Sequence, residues 1–378
     1  MRTTRLRVTM SEVEPTVVRV LDVPAGVLLP ELHDLLQVAI GWTDSHLHQF
    51  VADDARYGMP DVDGFNEFDD EQAETGIPLR SLPARFTYLY DFGDGWKHDV
   101  VVVGPGAERA GVVDGEGACP PEDVGGPHGY ADFLTVLANP TDAEHEHMRG
   151  WAAAWKDTFD LATVDLLVQQ TVGRVPTPVR LVLSLIADGI KLTPGGRLPR
   201  VFVRQVQEQF PKWGFDARPA SIEEDLPPLA ALHDLLREVG LLRLRKGVLA
   251  PTRIASDDME VIRRLRSWFG PQYGYESLLT TDTLALLAAE GPSKPQDVAG
   301  RLLDLLGQRW VTSQSQRLDE AQVRSDLYRL ESVLVGLDLI DTSNGSWEVG
   351  SSARWLLPRA TALANLWSKS ADLGKPPG

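Results

Sequence analysis

The alternation of apolar and polar positions is sharpest over residues 86–103, FTYLYDFGDGWKHDVVVV. Phe86, Tyr88, Tyr90 and Phe92 share one face of a strand, and Trp96, His98, Val100 and Val102 share one face of the next. Asp94-Gly95 between them predicts a hairpin, because both residues tolerate the positive φ of a tight turn. A two-residue turn sets Asp91 opposite His98. A three-residue turn over Gly93 to Gly95 sets Tyr90 opposite His98 and Asp91 opposite Lys97. The register therefore decides whether His98 meets a carboxylate. Upstream, residues 6–10 and 17–22 form strands parted by Glu14-Pro15. Leu32, Leu35, Leu36, Ala39 and Ile40 recur at helical spacing over 29–40, and Gly41 suits the residue just past a helix end. Residues 46–51 read as a strand with His46 and His48 on one face.

The pattern weakens over 53–75, acidic and rich in Gly and Asp, which predicts an exposed loop. Its Asp61-x-Asp63-Gly64 lacks the later ligands of an EF-hand. Residues 104–117 suggest a turn-rich connection. Two prolines and paired glycines fix the path of 115–126, short helices follow at 130–137 and 142–155, and residues 160–170 end the acidic half. Arg174-Val175-Pro176-Thr177-Pro178 suggests a linker. Beyond it the periodicity is helical, and two stretches look alike. Residues 229–250 and 327–349 each run helix, glycine, strand, turn, strand, with turns at Lys246-Gly247 and Ser343-Asn344-Gly345. Amphipathic helices at 199–210 and 296–306 precede them. Helices followed by a two-strand hairpin are the parts of a winged helix, so two such units are expected at 178–256 and 276–352, joined by a helix at 257–269. The fold class that follows is α+β, an antiparallel sheet with flanking helices over 1–173. A mostly helical half comes after it, divided into 174–275 and 276–378.

The 378 residues are 43% hydrophobic and 24% charged, ordinary for a globular protein with full cores. No apolar run approaches the ~20 residues that span a bilayer, and MRTTRLRVTM lacks a signal-peptide core. The single Cys119 excludes an intrachain disulfide. These features lead us to expect a cytoplasmic protein with no membrane partner. The net charge of −17 is unevenly spread. Residues 1–173 hold 11 Lys and Arg against 30 Asp and Glu, a net of −19, and residues 174–378 hold 26 against 24, a net of +2. The acidic half repels phosphate backbones, so DNA or a protein partner is expected at the C-terminal half. Seven of the eight histidines lie in the acidic half, which places candidate chemistry there.

That chemistry centres on His46, His48, Asp91, Asp94, Trp96, His98, Cys119, Glu122, Asp123 and Tyr130. Imidazole with carboxylate suits a divalent metal, for which His48, His98, Asp91 and Asp123 are the candidate ligands; thiolate added to them suits Zn²⁺. No close-spaced Cys-x-x-Cys or His-Glu-x-x-His pattern supports it. His98 as a satisfied core histidine and Cys119 as a small buried hydrophobe are the plainer reading. A Cys119–His98 nucleophile pair would need a depressed thiol pKa, which an acidic setting opposes. On a helix His145 and His147 point about 200° apart and cannot chelate together, although His145 alone can join the site. In the C-terminal half, Arg237, Arg243, Arg245, Lys246 and Arg253, with Arg200 and Arg204 on the preceding helix, are candidates for phosphate contact. Arg263, Arg264 and Arg266 follow on the next helix.

The N-terminal half resembles the plasmid pRiA4b open-reading-frame-three-like family, which includes TnpR-like proteins of insertion elements. The likeness rests on Gly41-Trp42 with His46-Leu47-His48-Gln49-Phe50 and on Tyr90-Asp91-Phe92-Gly93-Asp94-Gly95-Trp96-Lys97-His98. It extends to Cys119-Pro120-Pro121-Glu122-Asp123-Val124-Gly125-Gly126 with Tyr130, and to Asn139-Pro140 followed by Glu144-His145-Glu146 and Met148. The resemblance covers about residues 1–170. It implies an antiparallel sheet flanked by helices and no established activity; no serine- or tyrosine-recombinase site is present. The leading expectation is a binding module tied to DNA or mobile-element processes. The competing one is a metal-dependent hydrolase or nuclease built on Asp91, Asp94, His98, Glu122 and Asp123. A third is an adaptor whose motif residues serve the fold.

Overall fold

Period-two alternation draws the N-terminal half into one sheet, and the helical stripes cover it. The computed structural model describes residues 2–59, 71–153, 155–215, 218–270, 274–306, 319–342, 344–358 and 360. Two compact units divide the chain, Met1–Val172 and Gly173–Gly378.

The first unit runs β1 (Thr3–Met10), β2 (Val18–Pro24), α1 (Leu29–Ile40), β3 (His48–Ala52), β4 (Ala55–Gly58), β5 (Glu71–Ala73), β6 (Arg85–Tyr90), β7 (Trp96–Pro105), β8 (Gly111–Glu116), α2 (Gly126–Ala138), α3 (His145–Trp151) and α4 (Leu161–Val172). The strand order is β5-β4-β3-β6-β7-β1-β2-β8. Every pair is antiparallel except β4 with β5. Helix α1 buries Leu29, Leu32, Leu35, Leu36, Ala39 and Ile40. It ends at Gly41, whose φ of 119° lets its amide reach back to Gln37. Leu6, Leu21, Phe50, Tyr88 and Trp96 are buried in the core of the sheet.

Four expectations need correction. Residues 53–75 are not simply a loop: they contain β4 and β5, and Glu74 is buried. Asp61, Asp63 and Gly64 lie outside the described residues. Residues 104–117 hold the end of β7 and the whole of β8, which closes the far edge beside β2. The central hairpin follows neither expected register: Tyr90 pairs with Trp96 and Tyr88 with His98, across a five-residue turn at 91–95. The turn closes by the Gly95 amide donating to the Asp91 carbonyl at 2.6 Å. Asp91 sits at φ +55° and Gly95 at +71°. His98 thus lies across from a tyrosine rather than a carboxylate. His46 precedes β3, so it does not share the strand face of His48.

The second unit runs α5 (Thr177–Leu185), β9 (Ile190–Lys191), α6 (Arg200–Gln209), α7 (Pro227–Glu238), β10 (Leu242–Arg245), β11 (Val248–Pro251) and α8 (Asp258–Trp268). It continues with α9 (Tyr275–Glu290), α10 (Pro295–Leu306), α11 (Glu320–Gly336), β12 (Ile340–Asp341), β13 (Glu348–Val349) and α12 (Ala353–Leu356). Strands β10, β11 and β9 form one small sheet in that order, and β12 pairs with β13. Ser293 bridges to Trp347, so the second half carries a trace of the same third strand. Ser343 of the expected second turn lies outside the described residues. The expected linker is short: Val175 and Pro176 are buried and α5 starts at Thr177.

Candidate functional site

The hairpin turn, the α1–β3 connection and the loop before α2 converge on one corner of the sheet. His46, in the α1–β3 connection, places Nε2 3.1 Å from Asp123 Oδ1 and 3.6 Å from Asp91 Oδ2. Neither contact has hydrogen-bond geometry, and the buried Nε2 atom has no hydrogen-bond partner among the described residues. The three ligand atoms lie within 4.8 Å of one another. Asp91 and Asp123 both hold left-handed backbone, at φ +55° and +60°, a conformation that Asp tolerates better than most residues. Asp91 Oδ1 accepts from the Gly93 amide at 3.0 Å and the Asp94 amide at 3.2 Å. Its other oxygen is thereby left turned to His46.

The loop carrying Asp123 is fixed by a belt of aromatic donors. Trp42 Nε1 donates to the Pro120 carbonyl at 3.0 Å and Trp155 Nε1 to the Cys119 carbonyl at 2.7 Å. The Tyr90 hydroxyl donates to Glu122 at 2.6 Å and accepts from the Ser45 amide at 2.9 Å. Burial and the Glu122 carboxylate raise the Tyr90 pKa, so this hydroxyl stays protonated. Asp94 Oδ2 accepts from the Gly125 amide at 3.1 Å, tying the hairpin tip to the start of α2.

Beside this corner lies a cleft of about 530 Å³, with Trp42, Trp151, Trp155 and Phe159 among its lining residues and Glu122 and Asp123 on its wall. Arg19 belongs to the same cleft and is almost wholly buried. Among the described residues its guanidinium donates only to main-chain carbonyls, those of Val18, Ala39, Ile40, Glu116 and Gly117, and it lies 3.9 Å from the centre of the Phe159 ring. Burial lowers its pKa to about 10, so it remains charged at neutral pH. Five carbonyls satisfy its five donors without a carboxylate.

Several candidates are scaffold. His98 is wholly buried, donates from Nδ1 to the Tyr88 carbonyl at 3.1 Å and meets Trp42 edge-on. Desolvation lowers its pKa to about 4. His48 pairs with buried Glu74 at 3.0 Å. Neither His48 nor His98 joins Asp91 and Asp123; of the four expected ligands only these two aspartates come together, and the histidine beside them is His46. The hydrolase constellation does not converge, because His98 is buried, Asp94 serves Gly125 and Glu122 serves Tyr90 and Thr43. Burial pushes the Cys119 thiol up to about 12, and it donates to the Pro120 carbonyl; a Cys119–His98 nucleophile pair is excluded. Trp96 is buried between strands. Tyr130 is buried against Phe133 and Trp155, and His145 donates to the Val136 carbonyl at 3.0 Å, pinning α3 to α2.

Four polar residues were not singled out from the sequence. His33 on α1 donates to Asp44 at 2.8 Å and accepts from the Tyr88 hydroxyl at 2.7 Å. Gln37 donates to the same hydroxyl at 2.8 Å and receives the Asp44 amide at 3.1 Å, closing a ring. The His33 and His48 rings stack at 3.5 Å. His33 was detectable as a polar residue inside the apolar stripe of α1. Arg19 was detectable as a charge between valines in a strand. Glu74 carries no local signal.

In the second unit, Arg243, Arg245 and Lys246 are exposed on β10 and its turn, and Lys191 is exposed on β9. No acidic residue lies in β9, β10, β11 or that turn. None of these four cations forms an ion pair among the described residues. Lys246 and Gly247 make a two-residue turn with φ of +52° and +77°. Arg200, Arg237 and Arg253 are also exposed, and Arg204 donates to the Ala220 carbonyl at 3.3 Å. Arg263 is tied to Glu260 and Arg266 to the Leu356 carbonyl, so both serve the fold. Among the described residues no helix is long and apolar enough to cross a membrane.

Comparison with known proteins follows the same division. The family described as plasmid pRiA4b ORF-3-like protein matches residues 2–167, and the Y4jL N-terminal domain matches residues 177–261. The uncharacterized protein y4hQ of Sinorhizobium fredii is 40% identical over 156 residues, covering 40% of this chain and 80% of that protein. The crystal structure of the protein of unknown function MM3350 from Methanosarcina mazei Go1 is 26% identical with a TM-score of 0.37, covering 43% of this chain and 97% of that one. With the hairpin motif, the Cys-Pro-Pro-Glu-Asp loop and the match across residues 2–167, the chain belongs to the plasmid pRiA4b ORF-3-like family.

Proposed function

We propose that the chain is a nucleic-acid-binding protein whose second unit grips the phosphate backbone through the small sheet β10-β11-β9. The observation that carries this is the group Lys191, Arg243, Arg245 and Lys246, four exposed cations on one sheet with no carboxylate among its strands and no ion pair among the described residues. The order helix, strand, helix, helix, strand, strand in α5 to β11 is that of a winged helix, and the β10–β11 hairpin then serves as its wing. Lysine and arginine on a wing meet phosphate oxygens and carry no base preference. Exposed Val248 pairs with Arg245 on one side and Lys191 on the other, and suits contact with sugar rather than water. The first unit, with its aromatic cleft, is the ligand-binding part of the same protein.

The test is an electrophoretic mobility shift with the full chain and a duplex at low ionic strength. The combined substitution Arg243→Glu, Arg245→Glu and Lys246→Glu is expected to weaken binding by about 100-fold or more, the order set by the loss of three phosphate contacts. Unchanged binding in that variant, or no binding by the wild-type chain, would reject the reading and leave an acidic protein surface as the partner of the wing.

A further inference from the structure

We infer that the first unit holds a divalent transition-metal ion between His46 Nε2, Asp91 Oδ2 and Asp123 Oδ1, with its remaining coordination positions open to a second ligand. The spacing fits. Metal–nitrogen and metal–oxygen bonds of about 2.0–2.2 Å imply ligand–ligand edges of roughly 3.0 Å in an octahedral shell and 3.4 Å in a tetrahedral one. The two edges from His46 are 3.1 and 3.6 Å. All three atoms fall within 4.8 Å.

The donors are also free to bind. His46 Nε2 is buried without a hydrogen-bond partner and faces both carboxylates. Asp91 is held by two amides on one oxygen and presents the other. Asp123 makes no hydrogen bond among the described residues. Three separate loops bring these groups together, each fixed elsewhere: the Asp91 turn by its own amides, the Asp123 loop by two indoles, and the His46 segment by Tyr90. Such prior fixing lowers the ordering cost of coordination. One imidazole and two carboxylates suit Zn²⁺ or Mn²⁺. Three protein ligands leave room for water or for an oxygen of a molecule in the neighbouring cleft, because Asp123 belongs to both the cluster and the cleft wall.

The experiment is calorimetric titration of the full chain, first stripped with a chelator, with Zn²⁺ and with Mn²⁺ separately. One equivalent of at least one of these ions is expected. His46→Ala and Asp123→Asn should each weaken it by at least about tenfold, while His147→Ala, exposed on α3 away from the cluster, should leave it unchanged. The Asp123 side chain is 70% exposed, so its isosteric amide is expected to fold, and circular dichroism of the variant confirms this. Failure of both ions to bind overturns the inference. So does binding of several weak equivalents that His46→Ala and Asp123→Asn leave intact, which is condensation on an acidic surface. Neither result bears on the wing, which the duplex assay tests by itself.

Discussion

At the scale of single residues, His98 shows how burial decides a role. It is the third residue of β7, between partners Tyr88 on β6 and Met10 on β1. The charged imidazolium has no carboxylate there, and its Nε2 has no hydrogen-bond partner. The folded pKa of about 4 lies below the ordinary value of 6.5. Between those pH values the unfolded chain therefore binds more protons than the native one, and stability rises with pH. The contribution is complete above pH 6.5, is lost as pH falls toward 4, and changes no further below. At 1.36 kcal/mol per pKa unit its ceiling is about 3 kcal/mol. Burial lowers the His33 pKa too, in the same sense. Urea unfolding of the first unit at pH 7.5 and at pH 4.5 should show a smaller loss of stability in His98→Leu than in the wild type. An equal loss in both would mean that His98 does not carry the pH dependence.

At the scale of elements, the hairpin tip and the start of α2 explain two glycine motifs together. Gly126 has φ +70°, and a Cβ there would sit 2.2 Å from the Asp94 carbonyl oxygen. Gly126→Ala should cost about 2–4 kcal/mol, through left-handed strain and a displaced Asp94–Gly125 hydrogen bond. Gly150→Ala in α3, where a Cβ meets nothing within 4 Å, should be neutral or stabilising. Urea midpoints of the two variants check the contrast, and equal midpoints would remove the tight approach as the cause. The same elements show what was legible in the sequence. Helix α1 was readable because its apolar stripe and Gly41 agree on its limits. β5 and β8 were not, because both are sheet edges: β5 (Glu-Gln-Ala) buries almost nothing, and β8 is broken by glycines. The hairpin was visible but its register was not, since Asp91 adopts a left-handed conformation that lengthens the turn to five residues. The candidate site was half legible for a related reason. Asp91 and Asp123 stood out, whereas the choice of His46 over His48 and His98 depends on where β3 starts.

At the scale of the whole molecule, the winged helix proposed for the second unit itself limits what kind of nucleic-acid contact is to be expected. In a winged helix the helix before the hairpin enters the major groove. Here that helix is α7, and it packs on α11 so closely that a Cβ on Gly336 would lie 2.8 Å from the Pro228 carbonyl. The exposed side chains of α7 are Asp234, Arg237 and Glu238, a poor surface for phosphate or base edges. On the proposed reading that surface does not read bases, and the four cations of the small sheet make the contact. The affinity of the full chain for duplex DNA should not depend on sequence, and its logarithm should fall with log salt at a slope no steeper than about −3.6, that is −0.9 for each of four phosphates. Raising salt from about 50 to 200 mM would then weaken binding by about 150-fold at most. The net of −19 over residues 1–173 opposes approach to DNA, and salt screens that repulsion as it screens the attraction, which makes the measured slope shallower still. Fluorescence anisotropy over a salt series with two unrelated duplexes measures both quantities. A slope well beyond −4, or a strong preference for one duplex, would show that residues outside the small sheet make the contact.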